Sequence, residues 1–207
     1  SQEEGAARID ALGRLASVGK AHGVPARVLP LSVWHSASVG LDVWLGAIAQ
    51  GARQVWVLVG DTEAPQYRQA LAEQMAVAQA ILHGLGYAGE HFRLLDAADL
   101  AALDAALRAA PAQGVAKAAD VSIQQDKRAT LELALAHLLE QMPAPTAAPE
   151  AIALPAGGAP FRRLVVRVRG STGCSVVDLA RLVMRRRVDG IHLHGFFSAD
   201  RNVVPRP

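Results

Sequence analysis

The chain contains one cysteine, Cys174, in 207 residues. A single thiol excludes an internal disulfide and cannot hold an iron-sulfur cluster, which usually takes four thiolates. A metal centre would have to rely on the seven histidines. Long apolar runs are also lacking. The hydrophobic stretches are interrupted by Arg, Gln, Glu or Asp well before the roughly 18 residues that cross a bilayer, so no membrane span is expected. The opening Ser1-Gln2-Glu3-Glu4 is acidic and has neither the basic nor the apolar region of an export signal, which predicts a cytoplasmic protein. Neither a Gly-x-Gly-x-x-Gly fingerprint nor a phosphate-binding loop with its lysine occurs. Beyond Phe161 there is no Lys and no Glu: 10 Arg face only Asp178, Asp189 and Asp200, a balance of +7, whereas 11 Lys/Arg stand against 16 Asp/Glu up to that point, a balance of −5.

What is present reads as alternating helix and strand. Ile9, Leu12, Leu15, Ala16 and Val18 recur at mostly helical spacing, predicting an amphipathic helix from Glu3 to the stop at His22-Gly23. Ala26 to His35 is β-prone, with Pro30 favouring an edge or a bulge. Leu41 to Gln50 reads as a short buried helix ended by Gly51. Arg53 to Gly60 is the clearest strand, a continuous Val/Trp/Leu run bounded by glycines, as expected of a parallel strand buried on both faces. Asp61-Thr62 is suited to cap the next turn and Pro65 to open a helix from Gln66 to about Leu85, with Leu71, Met75, Ala78, Ile81 and Leu82 on one stripe. His91 to Leu95 is a further strand. Asp96 or Asp99 caps an alanine-rich helix ending before Pro111, and Asp126 caps a helix from Lys127 to Met142 with Leu131, Leu135, Leu138 and Leu139 inward. This is the pattern of a three-layer α/β domain over residues 1–142: a mainly parallel, flavodoxin-like sheet with helices on both faces. It opens on a helix, so a first strand is expected to be missing. The Pro/Ala/Gly composition of 143–160 predicts a linker, followed by an Arg-rich tail at 161–207.

Two loops are candidate sites. Gly60-Asp61-Thr62-Glu63 and the following residues to Tyr67 leave the best strand at its carboxyl end, where open α/β sheets bind ligands. Trp34-His35-Ser36-Ala37-Ser38, with Asp42 beyond it, ends the preceding β-prone run and should share that rim. Two carboxylates would repel a phosphate there, and helix capping is the simpler use of the Gly60 loop. Ser36 or Ser38 with His35, oriented by Asp42 or Asp61, matches no hydrolase elbow, and adjacent side chains on a strand diverge. Structural hydroxyls are the better reading. His83 with His91, and His192 with His194, lack further ligands, so they read as packing or solvated histidines and no metal site is assigned. In the tail, Arg181, Arg185, Arg186 and Arg187 lie on an expected basic amphipathic helix, Val176 to Arg187, suited to a partner, an anionic surface or nucleic acid. The Arg-only bias is also what G+C-rich DNA yields in an unintended frame.

The order of these features resembles a known family. The small-residue turn before Asp42, the helix LDVWLGAIAQ, the Gly51-Ala52 strand entry, the loop after Gly60, the long helix and the glycine-rich turn before His91-Phe92-Arg93-Leu94 are similar to the domain typified by the delta subunit of methyl-viologen-reducing hydrogenase. Residues 1–160 more closely resemble the region preceding the ferredoxin module in large proteobacterial 4Fe-4S proteins. The resemblance implies electron transfer. However, the hydrogenase subunit carries cysteines at the turn matching His35-Ser36 and in the loop matching Gly60 to Tyr67, where this chain has His, Ser, Asp, Thr and Glu. Nor do ferredoxin cysteines follow Phe161, so 161–207 is expected to be a degenerate or frame-altered remnant of that module.

Three functions compete. The first is a cluster-free docking domain, holding no cofactor itself, that positions a ferredoxin module against a redox partner through His35 to Asp42 and Gly60 to Tyr67. The second is a nucleotide- or flavin-binding domain using the same rim, with Trp34, Trp44, Trp56 or Tyr67 as aromatic cover. The third is nucleic-acid binding by the tail. On the first reading the chain alone is not expected to be an enzyme. Its oligomeric state is not legible.

Overall fold

The computed structural model describes residues 2–61, 63–120, 126–143, 151–155, 165–169 and 176–178. Helix α1, Gln2–Ser17, carries Glu3 and Glu4 in its first turn and Arg14 in its last, the order its dipole favours. It ends before the expected His22-Gly23 stop. Gly19 turns left-handed at φ 72° and the Lys20 N–H closes on the Leu15 carbonyl at 2.9 Å, so an earlier glycine takes the terminating role.

Residues 26–35, expected as a strand, are irregular, and the expectation is corrected here. Apolar, β-prone composition is only a weak preference, and Pro30 brings no N–H to a ladder. After a 3-10 turn at Ser36–Ser38, helix α2 spans Leu41–Ala49 and buries Trp44, Leu45, Ile48 and Ala49. Strand β1, Val55–Val59, leads to helix α3, Pro65–Gly84. Asp61 does not cap α3: the N-cap is Ala64 in extended conformation, with Pro65 supplying the pre-set first helical residue. Thr62 lies outside the described residues. The expected stripe Leu71, Met75, Ala78, Ile81 and Leu82 is the buried face of α3.

Strand β2, Phe92–Asp96, pairs parallel with β1, Val57 opposite Leu94. Asp99, rather than Asp96, caps helix α4, Leu100–Ala106, accepting from the N–H groups of Ala101 and Ala102. Asp126 caps helix α5, Lys127–Glu140, whose Leu131, Leu135, Leu138 and Leu139 are buried as expected. The protein is thus mixed α/β, with a two-stranded parallel sheet at its centre.

Side chains alternate across β1 into two cores. Val57 and Val59 join Phe92 and the inner faces of α2, α3 and α5, while Trp56 and Leu58 pack toward Leu12 of α1, Leu95 of β2 and Leu103 of α4. Polar locks close the edges. The buried His91 ring bonds the Gln113 carbonyl at 2.9 Å, its backbone N–H donates to Gln79 Oε1 at 2.7 Å, and burial holds its pKa below the usual histidine range. The packing role expected of His91 is thus the one it has. Tyr87 donates to the Leu138 carbonyl at 2.9 Å, and burial pushes its phenol up to about 12. Asp104 of α4 accepts from the backbone N–H groups of His22 and Gly23 at 3.2 and 3.0 Å and from Arg108 at 2.9 Å, tying the chain after α1 to α4.

A second sheet, antiparallel in the order β3-β4-β5, comprises Ala151–Ala153, Val165–Arg169 and Val176–Asp178. β3 therefore lies inside the Pro/Ala/Gly stretch, and Ile152 is buried in the larger core against Gly84. The helix expected from Val176 opens instead as strand β5, because Val176 and Val177 pair with Arg169 and Val168. Arg181, Arg185, Arg186, Arg187, His192, His194 and Cys174 lie outside the described residues. Among those described, no helix is long and apolar enough to cross a membrane.

Two outcomes follow from this packing. A Cβ on residue 84 would lie 2.6 Å from Ile152 Cγ2. Gly84→Ala should therefore cost about 1–2 kcal/mol in urea denaturation and Ile152→Ala about 2–4, with the double variant losing less than their sum. Asp104 is raised by burial but lowered further by Arg108, His22 and the two backbone N–H groups, to about 2. Its stabilisation is complete above its ordinary value near about 4 and disappears as pH falls toward 2. Asp104→Asn should lower Tm at neutral pH, and the gap to wild type should close through that window.

Candidate functional site

The rim forms where β1 ends. Gly60 and Asp61 leave the sheet, and the Ser36–Ser38 turn lies against the same end of the strand, so the two expected loops do meet. Glu63 is the centre of the contact. Its Oε1 accepts from Ser36 Oγ at 2.7 Å and lies 3.5 Å from His35 Nε2, although the Glu63 side chain is only 6% exposed. Tyr67, one turn into α3, sets its ring edge-on to His35 at 5.2 Å.

The expectation that His35 and Ser36 diverge assumed a strand. In the turn that exists, both reach one carboxylate. This is not a nucleophile relay: Ser36 gives its proton directly to Glu63, so no imidazole stands between hydroxyl and acid. Ser38 Oγ donates to the His35 carbonyl at 2.6 Å, a bond that closes the turn on itself. Asp42 sits in the first turn of α2, where it complements the helix dipole.

A second cluster occupies the same end of the sheet, and it uses residues that were not singled out as site residues. Glu4 of α1 accepts the Asp61 backbone N–H at 2.9 Å, and its carboxylate lies so close to Gly60 that a Cβ there would push it aside. Arg68 donates to the Gly60 carbonyl at 2.7 Å and to Asp96 Oδ2 at 3.1 Å. Arg8 stands 3.6 Å from the Asp61 carboxylate. The Ala98 N–H, then Arg68, hold Asp96 below the usual carboxylate range. Arg68 and Asp96 were legible in principle, being one turn past the loop and at the carboxyl end of β2. Glu4, some 57 residues away in sequence from its partner, carried no such signal.

Chemically, the rim is a set of acids held by hydroxyl, imidazole, guanidinium and backbone N–H groups. No group of three or more His, Cys, Asp or Glu side chains is gathered for a metal among the described residues. Next to the rim the segment 29–34 presents apolar side chains to solvent, with Trp34 87% exposed. No family model, curated protein or solved structure matches the chain.

Removing the acid at the centre should register in stability. Glu63→Ala leaves the buried Ser36 hydroxyl without its acceptor and should cost about 1–2 kcal/mol in chemical denaturation, whereas Asp42→Ala should stay within about 0.5 kcal/mol.

Proposed function

We propose that this chain is a docking domain of an iron-sulfur electron-transfer protein, itself without a cluster, that seats a ferredoxin-type module against a redox partner through the rim. The observation that carries this reading is the exposed Trp34, with the part-exposed Tyr67 across the His35 turn. Exposed aromatics beside charged and hydrogen-bonded side chains have the composition of an interface centre. The feature order of residues 34–95 supports the family part of the reading, and the His, Ser, Asp and Glu at the positions of that family's cysteines support the cluster-free part, because oxygen ligands do not replace thiolates on such clusters.

In this reading the fold is a flavodoxin-like, three-layer arrangement, supported by the two apolar cores on opposite faces of β1. Flavin or nucleotide binding at the same rim is disfavoured: Glu4 already holds the Asp61 N–H that a phosphate would need, and Glu63 lies beside it.

Two measurements test the proposal. Iron and acid-labile sulfide in the purified chain should be substoichiometric, and a full cluster equivalent would overturn the cluster-free assignment. A purified 4Fe-4S ferredoxin should bind the immobilised chain, with Trp34→Ala weakening it by about 30-fold, the loss of a central aromatic anchor. Equal binding by both proteins would remove the rim from the interface.

A further inference from the structure

Strand β1 is paired along one edge. In its register with β2, the backbone groups of Val55, Val57 and Val59 face β2: the Val55 N–H donates to the His91 carbonyl at 2.8 Å and the Val59 carbonyl accepts from Ala97 at 2.9 Å. The N–H and C=O groups of Trp56 and Leu58 therefore point to the other edge. No strand among the described residues pairs with them there. Because each face of β1 carries an apolar core, that edge calls for a parallel strand that is apolar on both faces.

One segment meets that demand by position. Arg27 donates to the carbonyls of Leu107 and Ala109 at 3.2 and 2.8 Å. The chain just beyond, at Ala112 and Gln113, lies against Gly89 and His91 before β2 begins, so residue 27 is held at the amino end of the sheet. Ser36 is held by Glu63 at the carboxyl end. Residues 27–36 thus run the length of β1 in its own direction. Helix α2, which joins this segment to β1, packs in the same core as α3, which joins β1 to β2. Two right-handed crossovers on one face place the first segment on the far side of β1 from β2, at the free edge. Val28 already packs in the core shared by Trp56 and Leu58, while Leu29 and Leu31 remain 78% and 77% exposed.

We propose that residues 28–33 are a strap that closes on the free edge of β1 as a third parallel strand, with Leu31 opposite Val57. Pro30 decides which side of the strap faces β1, and the holds at Arg27 and Ser36 place Leu31 near the middle of the strand. Lacking an N–H, Pro30 must face away from β1, which turns the backbone groups of Leu29, Leu31 and Val33 inward. Leu31 then donates to the Trp56 carbonyl and accepts from the Leu58 N–H. Val28 keeps its face, and Leu29, Leu31 and Val33 come to the face of Val55, Val57 and Val59. Trp34 and His35 follow directly, so the strap sets where the rim's aromatic stands.

Amide hydrogen exchange on the full chain tests this. In wild type the Trp56 and Leu58 amides should be protected, and Leu31→Pro should speed their exchange by about tenfold or more while Val57 and Val59, bonded to β2, are unchanged. Equal exchange at Trp56 and Leu58 in the two proteins overturns the strap. If Leu31→Pro also releases Val57 and Val59, the whole sheet has been lost and a cysteine pair decides. In a Cys174→Ser background, Leu31→Cys with Val57→Cys should form a disulfide under mild oxidation, since in-register parallel neighbours lie within bonding reach. A pair that stays reduced in the folded protein overturns the strap.

Discussion

The parallel pair β1-β2 has no face that tolerates water, and the arrangement of the other elements follows from that constraint. Val57 and Val59 look one way, Trp56 and Leu58 the other. Three helices cover the first face and two the second. Because a parallel ladder supplies few contacts of its own, its position depends on side-chain locks at its margins: His91 with Gln79 and Gln113 where β2 begins, Tyr87 with Leu138 behind it, and Asp104 with His22, Gly23 and Arg108 beneath α4. Each lock centres on a buried polar group, so removing its partner leaves that group unsatisfied.

The carboxyl end of the sheet uses the same economy differently. In many α/β proteins that end gathers donors for an anionic ligand. Here the donors are engaged by the chain's own acids, Glu4 on the Asp61 N–H and Asp96 on Arg68, while Glu63 draws Ser36 and His35 inward. A rim whose donors are already engaged in this way offers little to a phosphate.

Much of this was legible in the sequence, and the exceptions have physical causes. The stripe on α3, the cap at Asp126 and the glycine-bounded run at β1 were visible because each obeys a local rule of period, capping or composition. The run 26–35 misled because β-prone composition is a weak preference, and Pro30 in its middle brings no N–H to a ladder. Asp61 misled because a capping side chain and a capping position are different things: Pro65 moved the helix start and left Ala64 at the cap. The meeting of Ser36 with Glu63 was expected as adjacency, but the convergence of two neighbouring side chains on one oxygen required a turn that composition did not reveal. Glu4 was invisible, since its contact depends on how α1 crosses the sheet.

Ile152 changes how the chain can be divided. Its surroundings of proline, alanine and glycine suggest a tether, yet the side chain fills the space left open by Gly84 on α3. A fragment stopped at residue 143 would keep every helix among the described residues and both parallel strands but expose a hydrophobic notch along α3. Such a fragment would be prone to fill the notch with a neighbour's side chain, so self-association of a shortened version would reflect the cut and not the native protein.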